Sequence, residues 1–329
     1  MKVRHATSQD VPAIVELLKQ SLGESLVPKS AAYWMWKHVN NPYGESPTLL
    51  SEDGGRIVGV RAFMRWQWKQ GDRRFEAVRA VDTATHPDYQ GKGIFRKLTL
   101  DLLEECKGKG WAFVFNTPNE KSKPGYIKMG WSEAGKLPID CRLVRPLGMA
   151  LNVVRQRPQP VMPADESVGT YLRHAALPAL IAQTEAQIGG RVQTVHSVDS
   201  LRWRYEDVPV EQYFAAGETG QNDLRSLFFY RVKPSRLGLE FRVTDLFLAS
   251  PDAVAGVKRV LKEEVRKRKA HYVTLGSFSA AQVLSGGLSW KGASLGPIVT
   301  VRDINMGDDL GLLRGFTRWS PSLGDLELF

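Results

Sequence analysis

The decapeptide His86-Pro87-Asp88-Tyr89-Gln90-Gly91-Lys92-Gly93-Ile94-Phe95 decides how this chain is interpreted. It joins a β-like run ending at Thr85 to a helix-like run over 94–107. Because glycine has no Cβ, two glycines at such a junction let the backbone turn its N–H groups inward. Those N–H groups and the positive end of the following helix form an anion cradle, near which Lys92 adds a cation. The stretch therefore predicts a site for a phosphate-bearing ligand.

Two other phosphate loops do not fit these residues. A Rossmann loop requires G-x-G-x-x-G and an acidic residue about 20 positions later, and here the third glycine is missing. A P-loop requires Gly-Lys-Ser/Thr, whereas Gly91-Lys92 is followed by Gly93. An ordinary turn containing Gly-Lys-Gly is the remaining alternative.

The composition is typical of a globular protein of two domains. The 329 residues are 43% hydrophobic and 24% charged. Two cysteines, Cys106 and Cys141, exclude a disulfide framework, give no metal spacing and favour a reducing compartment. The N-terminus does not resemble a signal peptide, and the longest apolar run, 147–154, is far short of a membrane span. We therefore expect a cytoplasmic protein with no membrane span and no metal.

The net charge of +10, from 45 basic and 35 acidic residues, is compatible with nucleic acid, an anionic surface or a polyphosphorylated cofactor. Much of the excess lies in one helix-like segment, 258–269, where acidic residues are interleaved as on a solvated helix face. No aromatic-studded RNA-binding signature or zinc-finger spacing accompanies it. Nucleic acid is therefore not an expected partner.

The order of elements around the decapeptide extends the signal. The first half predicts, in order, a strand at 2–6, a helix from Val11 to about Leu22, a helix over 30–39, strands at 48–51, 56–69 and 75–85, the loop with its helix, a strand at 111–116, a short helix at 122–129, and strands around 137–144. A segment rich in proline, 146–165, follows as a predicted linker.

The decapeptide and this order of elements resemble the GNAT superfamily of acyl-CoA-dependent N-acetyltransferases. The family loop reads Q/R-x-x-G-x-G/A; Gln90 and Gly93 match it, and Phe95 stands where a small residue is usual. The resemblance covers roughly Met1 to Arg145. It implies an α/β (α+β) fold with a mixed, mostly antiparallel sheet flanked by helices, and acetyl-CoA as cofactor.

The second half repeats landmarks of the first, with a spacing that shortens along the chain. Trp36-Lys37 matches Trp203-Arg204, Val81-Asp82 matches Thr244-Asp245, and Gly130-Trp131 resembles Ser289-Trp290. This favours a tandem of GNAT-like domains at 1–145 and 166–329 over two unrelated α/β domains. Where the loop would recur, Ser250–Ala255 has no glycine pair, so we expect one cofactor site, in the first half.

The resemblance assigns roles to particular residues. It places the cofactor diphosphate on the backbone from Gln90 to Ile94, with pantetheine beside Thr83–Thr85, where this strand and the next splay apart. Tyr126, in Tyr126-Ile127-Lys128-Met129-Gly130-Trp131, would protonate or hydrogen-bond the departing sulfur, the alternative being a packing tyrosine. The cofactor-contacting residues implied are Thr83, Thr85, Gln90, Gly91, Lys92, Gly93, Ile94, Phe95 and Asn119.

The general base is less defined by sequence. The carboxylate position of many family members falls on Val81, and its neighbour Asp82 would face the opposite side of the strand unless a bulge intervenes. Asp82 is therefore the candidate base, with a structural role as the alternative. The further candidates are Glu76, His86, Glu120, and the terminal carboxylate of Phe329, as in Eis-type tandem acetyltransferases. Water or another group of the second half is the remaining alternative.

The predicted activity is transfer of an acetyl group to a primary amine of a small molecule, sugar or peptide. An aromatic cluster lines an acceptor groove or packs in the core; it comprises Tyr33, Trp34, Trp36, Trp66 and Trp68. The alternative functions are a Fem-type transferase using aminoacyl-tRNA and an acyl-CoA-binding sensor without turnover.

Overall fold

The computed structural model describes residues 1–23, 27–155, 163, 165–220, 223–276, 283–284 and 288–326. The strands are β1 (Lys2–His5), β2 (Thr48–Asp53), β3 (Arg56–Gln70), β4 (Arg73–Thr85), β5 (Phe113–Asn116), β6 (Ser132–Lys136), β7 (Ile139–Leu143), β8 (Gln193–Thr194), β9 (Phe214–Thr219), β10 (Leu224–Ser235), β11 (Gly238–Leu248), β12 (Tyr272–Gly276), β13 (Ser289–Ala293) and β14 (Ile298–Asp303).

The helices are α1 (Val11–Leu22), α2 (Ala31–Trp34), α3 (Ile94–Gly108), α4 (Lys123–Lys128), α5 (Pro146–Arg155), α6 (Ser167–Leu172), α7 (Leu177–Ile188), α8 (Val198–Tyr205), α9 (Val254–Lys267) and α10 (Leu323–Leu326). Helix α2 continues into a π-helical turn, Met35–Val39. The predicted linker 146–165 begins with α5, so its first part is helical. Within the described part of the chain, every helix is too short or too polar to cross a membrane.

The strands form two sheets of the same design. The first has the order β1-β2-β3-β4-β5-β14-β6, with β8 paired to β3, and the second has the order β13-β7-β12-β11-β10-β9. Among the described strands, the parallel pairs are β4–β5 and β11–β12, one in each sheet. The expected fold class, mixed and mostly antiparallel sheets flanked by helices, is confirmed.

One strand of each sheet comes from the other half of the chain. Strand β7 lies between β12 and β13 of the second sheet, and β14 lies between β5 and β6 of the first. The prediction that strands around 137–144 close the first unit is wrong for Ile139–Leu143. Alternating side chains fix which faces of a strand are buried but not which sheet receives it, so local periodicity could not show the exchange.

Each of the two sheets also contains a β-bulge at the corresponding strand pair. In the β3–β4 pair the register shifts so that Asp82 has no partner, and in the β10–β11 pair Thr244 is skipped in the same way. By its place in the bulge, Asp82 corresponds to Thr244. The sequence match instead pairs it with Asp245, one residue further on. The strand order and the bulge of the first sheet thus recur in the second.

Trp36 and Trp203 join the halves through a reciprocal contact. Their rings stack with centroids 4.8 Å apart and planes 14° from parallel. Each indole N–H donates to the main-chain carbonyl of the other residue, at 2.6 and 2.7 Å. Both side chains are buried, so the polar ends of two large apolar groups are satisfied inside the interface.

Helices cover both faces of the first sheet. Leu98 and Leu102 of α3 pack with Val58 and Val78 on one face. On the other face, Ile14 of α1 belongs to a cluster that includes Val60 and Ala84 of the sheet. The spacing of these leucines along α3 is that of one helical face, and this packing holds the start of α3 against the end of β4.

The exchange predicts that the first half cannot fold alone. A fragment of residues 1–145 lacks β14, which leaves the facing edges of β5 and β6 without their partner. We expect it to show no cooperative thermal unfolding by circular dichroism, whereas co-expression with residues 146–329 restores a cooperative transition. A cooperative transition of the isolated fragment, comparable to that of the full chain, would contradict this.

Candidate functional site

The Gly91–Gly93 loop has the geometry of an anion cradle. Both glycines have φ of +77°, a left-handed conformation that other residues rarely adopt. Gly93 is the N-cap of α3 and supplies no side-chain cap for its first N–H groups. A Cβ at either glycine would meet no atom within 4 Å. Open space, uncapped N–H groups and the helix end together fit a diphosphate.

Neighbouring side chains hold this loop in place. Arg56 donates to Nε2 of His86 at 2.6 Å, and the Tyr89 hydroxyl donates to Asp53 at 2.9 Å. The Lys92 ammonium lies 4.3 Å from the centre of the Tyr89 ring and is exposed. His86 therefore shapes the turn, while Lys92 stays accessible to an anion.

Strands β4 and β5 separate just before the loop. They pair only from Ala77–Phe113 to Arg79–Phe115. Thr83 and Thr85 lie beyond this point and pair with β3 on the other edge. In the described residues no strand covers the β5 side of this segment, so its main-chain groups can bind an extended ligand.

The bulge turns Asp82 toward α2. Before it, Val78 and Ala80 pack on the α3 side of the sheet, whereas Ala84, after it, packs on the α1 side. Asp82 itself has φ of +41°. Its Oδ2 lies 2.7 Å from Nζ of Lys37 and 2.8 Å from Nε2 of His38. On sequence grounds the face of Asp82 depends on a bulge in this strand, and that bulge is present.

The Lys37–Asp82–His38 cluster is electrostatically coupled. Burial raises the pKa of Asp82, but Lys37 and His38 outweigh it and hold that pKa well below its usual range. Burial lowers the pKa values of Lys37 and His38, and Asp82 only partly opposes this. Asp82 is therefore ionised, and His38 is neutral near pH 7.

His38 is a candidate that sequence reasoning missed. With Nε2 directed at Asp82, its Nδ1 is buried without a partner among the described residues. Ser46 has a similarly unpartnered Oγ, and both residues line a cavity of about 360 Å³. The signal available in the sequence was the position of Lys37-His38 directly after the matched Trp36. In the structure these residues lie on a π-helical turn, a feature often found at functional sites.

Tyr126 lies on the opposite side of the sheet and is buried. Its hydroxyl accepts a hydrogen bond from Nη1 of Arg61 at 2.9 Å. Its ring packs edge-on against Phe95, with centroids 5.5 Å apart. A Cβ at residue 125 would lie 3.0 Å from the Phe95 ring. Phe95, unusual for the family loop, and Gly125, unusual for this helix, are therefore complementary.

Other residues singled out by sequence have local partners. The side-chain oxygen of Asn119 accepts from the main-chain N–H of Ser122, the residue before α4, at 2.9 Å. Glu76 accepts hydrogen bonds from Arg65 and from Gln67, the latter at 2.7 Å. The five aromatic residues proposed for a groove are all buried, in agreement with the core-packing alternative.

The segment Ser322–Leu326 lies beside the point where β4 and β5 separate. Arg79 donates to the main-chain carbonyl of Leu326, and the Thr117 hydroxyl donates to the same carbonyl at 3.4 Å. The Asp325 side chain accepts from the Ser322 N–H at 2.8 Å. Phe329, whose carboxylate was one candidate base, lies outside the described residues.

Asp325 should make stability depend on pH. Burial, reinforced by Asp245 and opposed by His196, raises the pKa of Asp325 from 3.8 to about 6. Between these values the folded protein binds more protons than the unfolded chain, so stability falls as pH rises. Asp325→Asn stays neutral and retains an acceptor, so it should gain about 2–3 kcal/mol relative to the native chain between about pH 4 and 7. Thermal unfolding across that range tests this; a constant difference would contradict it.

Comparison with known proteins finds a family-model match in the first half. Residues 2–134 match the family model described as an acetyltransferase (GNAT) domain. The first part of the chain is therefore similar to a GNAT acetyltransferase domain. The matched residues include the glycine loop, the separating strands, Asp82 and Tyr126.

Two curated relatives align with part of the chain. The L-amino acid N-acyltransferase MnaT of Escherichia coli is 30% identical over 121 residues, 33% of this chain and 65% of the relative. The L-methionine sulfoximine/L-methionine sulfone acetyltransferase of Salmonella typhimurium is 29% identical over 121 residues, 33% of this chain and 66% of the relative. The chain thus spans just under two thirds of the length of these relatives.

Solved structures resemble the chain over both halves. A GCN5-related N-acetyltransferase from Anabaena variabilis superposes with a TM-score of 0.65 at 15% identity, covering 92% of this chain and 73% of that one. Eis1 from Mycobacterium abscessus gives a TM-score of 0.59 at 13% identity, covering 95% of this chain and 76% of that one. At these identities the likeness shows the fold alone.

Proposed function

We propose that the protein is an acetyl-CoA-dependent N-acetyltransferase acting on a primary amine of a small molecule. The observation that carries this is the uncapped N-terminus of α3 behind two left-handed glycines, next to the separated strands. Bound coenzyme A would supply the acetyl thioester. The names of the relatives, which act on amino acids and their analogues, support an amine acceptor.

The cofactor would lie along the end of β4 and the loop. The main-chain N–H groups from Gln90 to Ile94 would bind the diphosphate, and Lys92 would add a cation. Thr83 and Thr85 would present their main-chain groups to the pantetheine arm. Phe95 and Asn119 would border this path.

The acid and base would act from opposite faces of the sheet. As an acceptor nitrogen bonds to the thioester carbonyl carbon and the carbon–sulfur bond breaks, Tyr126 would give the departing sulfur a proton. The acceptor would attack as the neutral amine, and the proton that its nitrogen loses as the amide forms would pass to the Asp82–His38 pair. Because the low pKa of Asp82 makes it a weak proton acceptor, the neutral imidazole of His38 is the better group to accept this proton.

The second half would serve as a degenerate copy. At the position of the loop it has Pro251–Ala253, and Asp252 brings a carboxylate to the start of α9. A negative charge there disfavours a phosphate. We therefore assign the cofactor site to 1–145 and a structural role to 166–329.

Substitution of Gly93 tests the loop. Gly93→Glu puts a strained, negatively charged side chain where the diphosphate would bind. We expect isothermal titration calorimetry to show at least a ~100-fold loss of acetyl-CoA affinity, equivalent to about 2.7 kcal/mol. Gly71→Glu is the matched control, since Gly71 also has positive φ and open space, in the β3–β4 turn. Equal affinities of the two variants would refute the loop assignment.

Removal of the Tyr126 hydroxyl tests the acid. In Tyr126→Phe we expect kcat to fall by ~100-fold, with the KM for acetyl-CoA nearly unchanged, since general acids contribute about 10²–10⁴. Tyr171→Phe, which removes a half-buried hydroxyl bonded to Gly217 in the second half, should keep full activity. Release of free thiol with a panel of amino acids and amino sugars measures both. Thiol release by no amine in the panel would favour a binding protein over an enzyme.

A further inference from the structure

Arg61 is a fully buried arginine that contacts Tyr126. It lies on β3 with 0% of its surface exposed. Its Nη1 donates to the Tyr126 hydroxyl, while its Nε and Nη2 have no hydrogen-bond partner among the described residues. In that part of the chain, no carboxylate forms an ion pair with it. A guanidinium without a counter-ion in a core is unusual.

Three aromatic rings surround this charge. The guanidinium carbon lies 4.8 Å from the ring centre of Phe63, 5.4 Å from that of Tyr126 and 5.7 Å from that of Phe95. Cation–π attraction offsets part of the desolvation cost. An apolar side chain of similar length would still fill this place at lower cost. The arginine is therefore better explained by what it does to Tyr126 than by packing.

The hydrogen bond fixes how Tyr126 presents its proton. A phenol has one O–H donor and a limited number of acceptor positions. Because Arg61 donates to the oxygen, the phenolic proton must be directed away from Arg61. A donor that is always charged is then already in place if that proton leaves, and hydrogen bonds to an anionic oxygen are stronger than those to a neutral one.

We propose that Arg61 is a positioning residue that orients the Tyr126 hydroxyl and stabilises its phenolate while the departing sulfur is protonated. This rests on the proposed function. As the carbon–sulfur bond breaks, the electron pair goes to sulfur and the Tyr126 proton follows it, giving free thiol. Tyr126 is left as a phenolate bonded to Arg61 and regains a proton from solvent; Arg61 itself neither gains nor loses one.

The bulge explains how Arg61 and Asp82 are separated. Arg61 pairs with Thr83, at the register shift where Asp82 is skipped. Arg61 contacts Phe95 and Tyr126 on the α3 side, whereas Asp82 contacts Lys37 and His38 on the α2 side. The cation that supports the acid is thus kept away from the carboxylate, which would otherwise neutralise it.

A double-mutant cycle tests the proposal. We expect Arg61→Met to lower kcat by ~10- to 100-fold, with the KM for acetyl-CoA unchanged and the melting temperature not reduced, since the loss of a buried unpaired charge is not destabilising. Arg61→Lys should retain most of kcat because it keeps the cation. In the Tyr126→Phe background, Arg61→Met should have no further effect on kcat.

The control removes a comparable contact in the other half. Arg204 is buried and donates to the Tyr213 hydroxyl at 2.9 Å and to the Gly324 carbonyl at 3.1 Å, so Arg204→Met deletes an arginine–tyrosine bond of the same length together with one main-chain contact. Its effect on kcat should be the same in the native and Tyr126→Phe backgrounds, and smaller than that of Arg61→Met in the native chain.

Different outcomes separate this proposal from the one on which it rests. An equal loss of kcat on Arg61→Met in both backgrounds, or an unchanged kcat with Tyr126 present, overturns the role of Arg61 alone. A native kcat in Tyr126→Phe overturns the assignment of the acid and the role of Arg61 together. Absence of any transfer by the native chain overturns the proposed function.

Discussion

The reciprocal strand exchange is the constraint on which the rest of the structure depends. Strand β5 borders the gap that opens where β4 and β5 separate after Arg79. The other edge of β5 pairs with β14 from the second half. The second sheet, in turn, is completed by β7 from the first. Neither sheet is whole without the other half. The second half therefore helps to fix the position of β5, beside which a cofactor would lie under the proposed function.

The local parts of the site could be predicted from sequence because their causes are local. Two glycines at a strand end require positive φ or open space, and Gly91 and Gly93 have both. The apolar spacing of α3 and the turns around β3 and β4 likewise act within a few residues. The strand exchange was not predictable, since β7 and β14 have the periodicity of ordinary strands whichever sheet receives them.

The contacts of the candidate site were the least predictable part. A bulge is one extra residue, and no residue type in Val81-Asp82-Thr83 requires it. The position of Asp82 follows from it, because it changes which face of β4 that side chain takes. The sequence left open which face of β4 the Asp82 side chain takes. It gave no sign that Arg61 contacts Tyr126, 65 positions along the chain.

Under the proposed function, the bulge matters because it separates the charge of Asp82 from that of Arg61. Amine acetylation needs a proton removed at one point and delivered at another, and a single cluster holding cation, carboxylate, imidazole and phenol would neutralise itself. Here the β3–β4 pair stands between a buried cation with its phenol and an ionised carboxylate with its imidazole. A main-chain irregularity of one residue thus lets two incompatible electrostatic environments share one strand pair, both next to the segment where the cofactor would lie.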